Sequence, residues 1–453
     1  MNKNFLLESE TAKILYEKVK DLPIIDYHNH LAVSDIKNDI RFLNIYDLWV
    51  KTDPYKHRAM RMCGVEEKYI TGDVPSKDKF KKWCETLPNL IGNPLYHWTK
   101  MELELFGVDE FPCKDNADKI YNLCNEYLAN NIVTTKSFLK RFNVEFSCPC
   151  ASINDDLSDF SRDESIAPSL RGDNIVSPDK DTIKVIGKLA EIEVADLESY
   201  KKAVVKRLDE FKNANCRFAD HALDNGFEFY EDDGKNSERF DACLKGNLGK
   251  EDCQKLSSYL LLFLGSEYAK RNMVMQLHIG AQRQTSTRLK NIAGPAGGFA
   301  GIGNSVHLTS VTKFLDALEM SEGGLPKTML FTLNPVDNAA FSTLSGSYSK
   351  DGVSGLVTQG PAWWWCDHKS GIENMLENAC SFSAIANFVG MTTDSRSFMS
   401  FVRHDYFRRI LCSFFAEKYD SGEIFCSIEN LTEIIIKMCY KNAEEIIRGS
   451  KNV

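Results

Sequence analysis

The chain has 453 residues, a formal net charge of −9 and 43% hydrophobic residues. The apolar share is enough for a large core. The acidic balance, with no basic stripe to grip phosphates, argues against nucleic acid as the main partner, and the longest apolar run, residues 259–264, is far too short to span a bilayer.

Residues 1–20 mix Glu, Lys and apolar residues at helical spacing and have no signal-peptide core. Eight short apolar segments follow, near residues 24–27, 144–148, 165–170, 216–219, 274–277, 328–333, 355–359 and 388–392. Stretches of helical periodicity, such as residues 198–214, 256–271 and 311–321, separate many of them. Strand alternating with helix argues for parallel βαβ units, and eight such units predict an α/β fold of the (β/α)8, TIM-like barrel type. Residues 1–30 read as an N-terminal helix and the first barrel strand. Residues 31–142 are too long for one connection and read as a helical insertion over the barrel mouth. Residues 143–453 supply the rest of the barrel. Residues 170–182 and 294–303 read as loops, the second mobile and without the spacing or the Lys of a phosphate-binding loop.

The first segment ends in Asp26-Tyr27-His28-Asn29-His30. Residues two apart on a strand face the same side, so His28 and His30 aim at one point, and neutral imidazole is a common ligand for divalent metals. Active sites of such barrels lie at the carboxyl ends of the strands. Asp394 ends the eighth strand, beside the first, and offers a third ligand; alone it would read as a helix N-cap. His278 ends the fifth strand and could be a ligand, a supporting donor or a base, while His221 could equally be a core histidine. Arg396, Arg403, Arg171 and Arg283 cluster after strand ends, and guanidinium groups grip carboxylates with two prongs. They suggest an anionic small substrate if they converge. Tyr55 and His57 could move a proton if the insertion closes over the mouth. Trp363-Trp364-Trp365 could stack on a sugar ring or fill a core corner. Cys148-Pro149-Cys150 is too tight for the usual zinc or redox spacing, and 14 scattered cysteines without a Cys-x-x-Cys pair fit free thiols in the cytoplasm.

Several longer motifs carry a family resemblance. They include Pro23-Ile24-Ile25-Asp26-Tyr27-His28, Asn44-Ile45-Tyr46-Asp47-Leu48-Trp49, Ile91-Gly92-Asn93-Pro94-Leu95-Tyr96-His97-Trp98, Leu277-His278-Ile279-Gly280-Ala281-Gln282-Arg283 and Thr393-Asp394-Ser395-Arg396-Ser397-Phe398. Over nearly its whole length the chain resembles uronate isomerase, of the amidohydrolase superfamily. The resemblance implies an aldose–ketose isomerase converting D-glucuronate to D-fructuronate, D-galacturonate to D-tagaturonate, or both. It implies a divalent metal, typically zinc, held by His28, His30 and Asp394. Arg396, Arg403 and Arg171 would hold a sugar acid, with Trp364 at the same subsite, and Asp394, Tyr55 and His278 would serve catalysis. A homo-oligomer is expected. The family usually has His-Tyr where this chain has Pro54-Tyr55, and its Thr-Thr-Asp-Asp-Pro and Asp-Thr-Gly-Phe-Asp-Ser motifs are replaced here by Pro149-Cys150-Ala151-Ser152-Ile153 and Ala296-Gly297-Gly298-Phe299-Ala300-Gly301. These departures mark a divergent member. They keep two other readings in view, a metal-dependent hydrolase on the same barrel and a sugar-acid binder that has lost catalysis.

Overall fold

A computed structural model describes residues 3–160 and 165–449. Seven strands form one parallel sheet in chain order: β1 (Ile24–Asn29), β2 (Val144–Ser152), β3 (Ser169–Arg171), β4 (Phe218–Leu223), β5 (Val274–Ile279), β6 (Thr328–Thr332) and β7 (Val357–Gln359). Every residue of β1, β5 and β6 is buried. That is the signature of parallel strands covered on both faces, and it explains why the segments read as continuous apolar runs. Helices such as Leu197–Asn213 and Lys250–Lys270 make the crossovers, and the architecture is a (β/α)8 barrel.

The eighth segment departs from the expected strand. Residues 388–395 run beside β1 but form no regular strand. Two backbone bonds join them to β1, from Asp394 N to His28 O at 3.1 Å and from His30 N to Ser395 O at 2.9 Å. Just before these the ladder is broken, because His28 N donates to the Thr392 hydroxyl at 2.9 Å instead of to a carbonyl. Asp394 has φ +45°, a left-handed turn that ends any extended repeat. Nor is Asp394 an N-cap. Ser397 caps the short helix Phe398–Phe401, which leads into helix Val402–Asp420.

Between β1 and β2 the ordered elements are all helical, from Val33–Lys37 to Thr135–Arg141. Helix Pro54–Met62 starts with Pro54 at its first turn, where a missing N–H is harmless, and Asp53 caps it by accepting from Tyr55 N and Lys56 N. This helix meets the segment after β5. Arg58 donates to Ala300 O at 3.0 Å, and a side chain at Gly298 would lie 2.2 Å from Pro54 O. Residues 294–303 are therefore packed rather than a free loop, and Gly301–Ile302 pairs with Ala281–Gln282. Residues 170–182 likewise hold a helical turn, Asp173–Val176, and the start of helix Lys180–Ala190. Among the described residues no helix is long and apolar enough to cross a membrane.

Candidate active site

The two early imidazoles and the late carboxylate meet. His28 Nε2 lies 3.3 Å and His30 Nε2 3.0 Å from the same atom, Asp394 Oδ1. Asp26 brings them together. Fully buried on β1, it accepts from the Thr392 hydroxyl at 2.8 Å, from Thr393 N at 2.7 Å and from the Thr393 hydroxyl at 2.7 Å. The residues just before Asp394 are thus fastened to the strand that carries both histidines. The other carboxylate oxygen, Asp394 Oδ2, accepts from Trp364 Nε1 at 2.7 Å.

Three further groups surround His28. Asp220 on β4 places Oδ1 at 4.0 Å from His28 Nδ1 and Oδ2 at 3.6 Å from His278 Nδ1. Cys150 on β2 places Sγ at 3.6 Å and 3.8 Å from the two ring nitrogens of His28. Sequence reasoning missed both Asp220 and Cys150. The signal for Asp220 was available: in the β4/β5 register Asp220 opposes Gln276 and Ala222 opposes His278, so Asp220 shares a face with His278. His221, its neighbour, faces away. It is buried under Gly172, where a Cβ would lie 2.1 Å from its ring, and Nε2 pairs with the Tyr268 hydroxyl at 2.9 Å.

Charge at the site follows from this crowding. Burial opposes ionising Asp394, but the imidazoles of His28 and His30 hold its carboxyl well below the usual range. Burial likewise opposes protonating His30, yet the Cys150 thiol and Asp394 raise it to about 9. His278 goes the other way: burial pushes it down, against Asp220, which favours the neutral ring. The donors are electron-rich enough that either imidazolium protons or a divalent cation must balance them. The two histidine–carboxylate spacings suit a cation. Tetrahedral zinc holds nitrogen and oxygen donors at about 2.0–2.1 Å, which sets neighbouring donors about 3.3 Å apart, and the two histidine–Asp394 separations are 3.3 Å and 3.0 Å. His28, His30 and Cys150 also bring one donor atom each within 4.8 Å of one another, as do His28, Asp220 and His278.

A family model described as glucuronate isomerase matches residues 1–447. The chain belongs to the glucuronate isomerase family. It is 39% identical over 462 residues to a uronate isomerase of Clostridium perfringens, covering 99% of each chain. It is 38% identical to one of Caldanaerobacter subterraneus, covering 98% of each. Its fold is similar to the crystal structure of uronate isomerase from Thermotoga maritima, with a TM-score of 0.92, 27% identity and 99% of each chain covered. As a glucuronate isomerase family member over residues 1–447, the chain is an isomerase, and nothing favours the hydrolase or the inactive binder.

The remaining candidate groups of this glucuronate isomerase family member fall into two sets. Arg403 is buried; Nη1 donates to Thr393 O at 3.1 Å and lies 3.8 Å from Asp367, and the guanidinium stacks on Trp98 at 4.0 Å and Tyr55 at 5.2 Å. Its Nε has no partner among the described residues. Arg171 lies 3.5 Å from Asp173 and feels the charges of Asp220 and Asp394. Arg283 is taken up by Asp224 at 2.8 Å and stacks over Trp364 at 5.2 Å. Arg396 is half-buried, and its guanidinium makes no hydrogen bond or ion pair among the described residues. Burial keeps the Tyr55 phenol protonated, and its ring packs edge-on to Trp365 at 5.3 Å. His57 does not reach the site. It is buried on the same helix among Asp53, Arg61 and Glu67.

Proposed function

We propose that this enzyme isomerises D-glucuronate to D-fructuronate, D-galacturonate to D-tagaturonate, or both, with a divalent metal, zinc, held by His28, His30 and Asp394. The observation that supports this most is the convergence of both imidazoles on Asp394 Oδ1 in a chain matched to the glucuronate isomerase family from residue 1 to 447. In this reading the helices between β1 and β2 cover the barrel mouth. The enzyme works in the cytoplasm, a reading its fourteen unpaired cysteines support.

When bound, the metal polarises the substrate's oxygens. The chain's own groups do the rest. Arg396, Arg403 and Arg171 hold the carboxylate and hydroxyls, with Trp364 bordering that subsite. After ring opening, a base removes the proton from C2 and returns it to C1 through an enediol, while the hydroxyl proton on O2 passes to O1. No atom is gained or lost. His278 is the group suited to carry the carbon-bound proton, since it is neutral and its Nδ1 is oriented by Asp220. The protonated Tyr55 phenol donates to a substrate oxygen. Asp394 stays ionised throughout.

Metal-loaded protein incubated with each uronate should form the ketose from at least one. Chelation and dialysis should abolish turnover and zinc should restore it. Folded, metal-replete protein that converts neither sugar would overturn the substrate assignment.

A further inference from the structure

We propose that Cys150 is a fourth protein donor to the metal, giving a resting site of two imidazoles, one carboxylate and one thiolate. The inference rests on the metal reading above and adds to it a ligand that the His-x-His and aspartate pattern does not contain.

The placement comes from the sheet. β2 runs parallel to β1 with Asn29 opposite Pro149, so Cys150 sits one residue further along, level with the end of β1 where His28 and His30 project. Its sulfur is 3.6 Å and 3.8 Å from the two nitrogens of His28, and its donor atom lies within 4.8 Å of those of both histidines. A tetrahedral zinc with a sulfur donor at about 2.3 Å and a nitrogen donor at about 2.0 Å separates the two by about 3.5 Å. The sulfur lies 3.8 Å from Nε2, the His28 nitrogen that also faces Asp394 Oδ1, close to that spacing. Cys150 is in contact with the candidate ligands through its sulfur, which distinguishes it from the other cysteines, none of which joins such a donor group among the described residues.

Two consequences follow. A cysteine ligand binds as the thiolate, with no change of oxidation state. A thiolate also favours zinc, cobalt and iron(II) over magnesium or manganese, so this site discriminates among metals more sharply than an all-nitrogen-and-oxygen site.

The test uses the full chain loaded with one equivalent of cobalt(II). Expected is a near-ultraviolet thiolate-to-cobalt charge-transfer band, lost in Cys150→Ser while the visible cobalt bands remain, with cobalt affinity at least about tenfold weaker in the variant. Visible cobalt bands without the charge-transfer band in the unmodified protein would overturn the thiolate ligand and leave the histidine–aspartate site standing. A charge-transfer band unchanged in Cys150→Ser would also overturn it. Failure to bind cobalt at all would remove both readings. Should Cys150→Ser not fold, alkylation of the unmodified protein with iodoacetamide decides: zinc should protect Cys150 and chelation should expose it, whereas equal labelling in both states would overturn the inference.

Discussion

Asp26 accepts two hydrogen bonds from Thr393, one from the backbone nitrogen and one from the hydroxyl, each at 2.7 Å and across 367 residues of chain. The Thr392 hydroxyl and Asn29 Nδ2 add two more donors, at 2.8 Å and 3.0 Å. This buried carboxylate does for the eighth segment what a regular ladder does for the other seven. Burial opposes its charge, but His404 and Thr393 keep it ionised. Asp26→Ala leaves several buried donors without an acceptor, and a destabilisation of about 3–5 kcal/mol is expected. Metal affinity should fall with it, because Asp394 loses its fastening. Urea denaturation and chelator competition read the two effects, and an unchanged unfolding midpoint would refute the role.

The same residues show what was legible in the sequence. His28 and His30 could be read because strand alternation alone puts them on one face. Asp394 could be paired with them because a closed barrel makes the first and last positions neighbours. The irregular eighth segment was not readable: its apolar run resembles a strand, while its real bonds to β1 run through Thr392 and Thr393 side chains that periodicity ignores. Cys150 was discounted on spacing to Cys148, though its partners lie on the adjacent strand. The contact of Trp364 with Asp394 was not readable either: the indole N–H donates to Asp394 Oδ2 from a residue in the left-handed region, φ +50°, which has no signature in the pattern.

Trp364→Phe tests that contact. An aromatic ring remains, while the N–H donor is lost together with the indole's second ring. Groups that orient a metal ligand typically change metal affinity or activity by about 10- to 100-fold when removed, and a loss in this range is expected in zinc affinity, in kcat, or in both. A variant that raises only KM, with zinc affinity intact, would assign Trp364 to the sugar instead.

Arg396 offers the contrasting case. Its guanidinium is half-buried, two residues from Asp394, and has no carboxylate partner among the described residues. A cation held free beside the site is suited to a substrate carboxylate. Arg396→Ala should raise KM by about 10- to 100-fold, the value of a charge-assisted hydrogen bond, with little change in stability because no protein group loses its partner. Arg403→Ala should instead lower stability, since it removes the bond to Thr393 O and the stack on Trp98. Equal unfolding midpoints for the two variants would contradict this division.

His57 gives the enzyme an acid limit that is separate from catalysis. Burial pushes its pKa from the ordinary 6.5 down to about 4, with Asp53 opposing the shift, and its Nε2 has no hydrogen-bond partner among the described residues. The folded state therefore holds His57 neutral while the unfolded chain takes up a proton below pH 6.5. Stability from this group is complete above pH 6.5 and is lost progressively as pH falls to 4, by about 2 kcal/mol at pH 5 and about 3 kcal/mol in full. His57→Met keeps the volume and removes the titration. Relative to the unmodified enzyme, the variant should gain about 2 kcal/mol between pH 7 and pH 5 in urea unfolding, whatever its stability at pH 7. Parallel pH profiles for the two proteins would show that His57 is protonated in the folded state as readily as in the unfolded one.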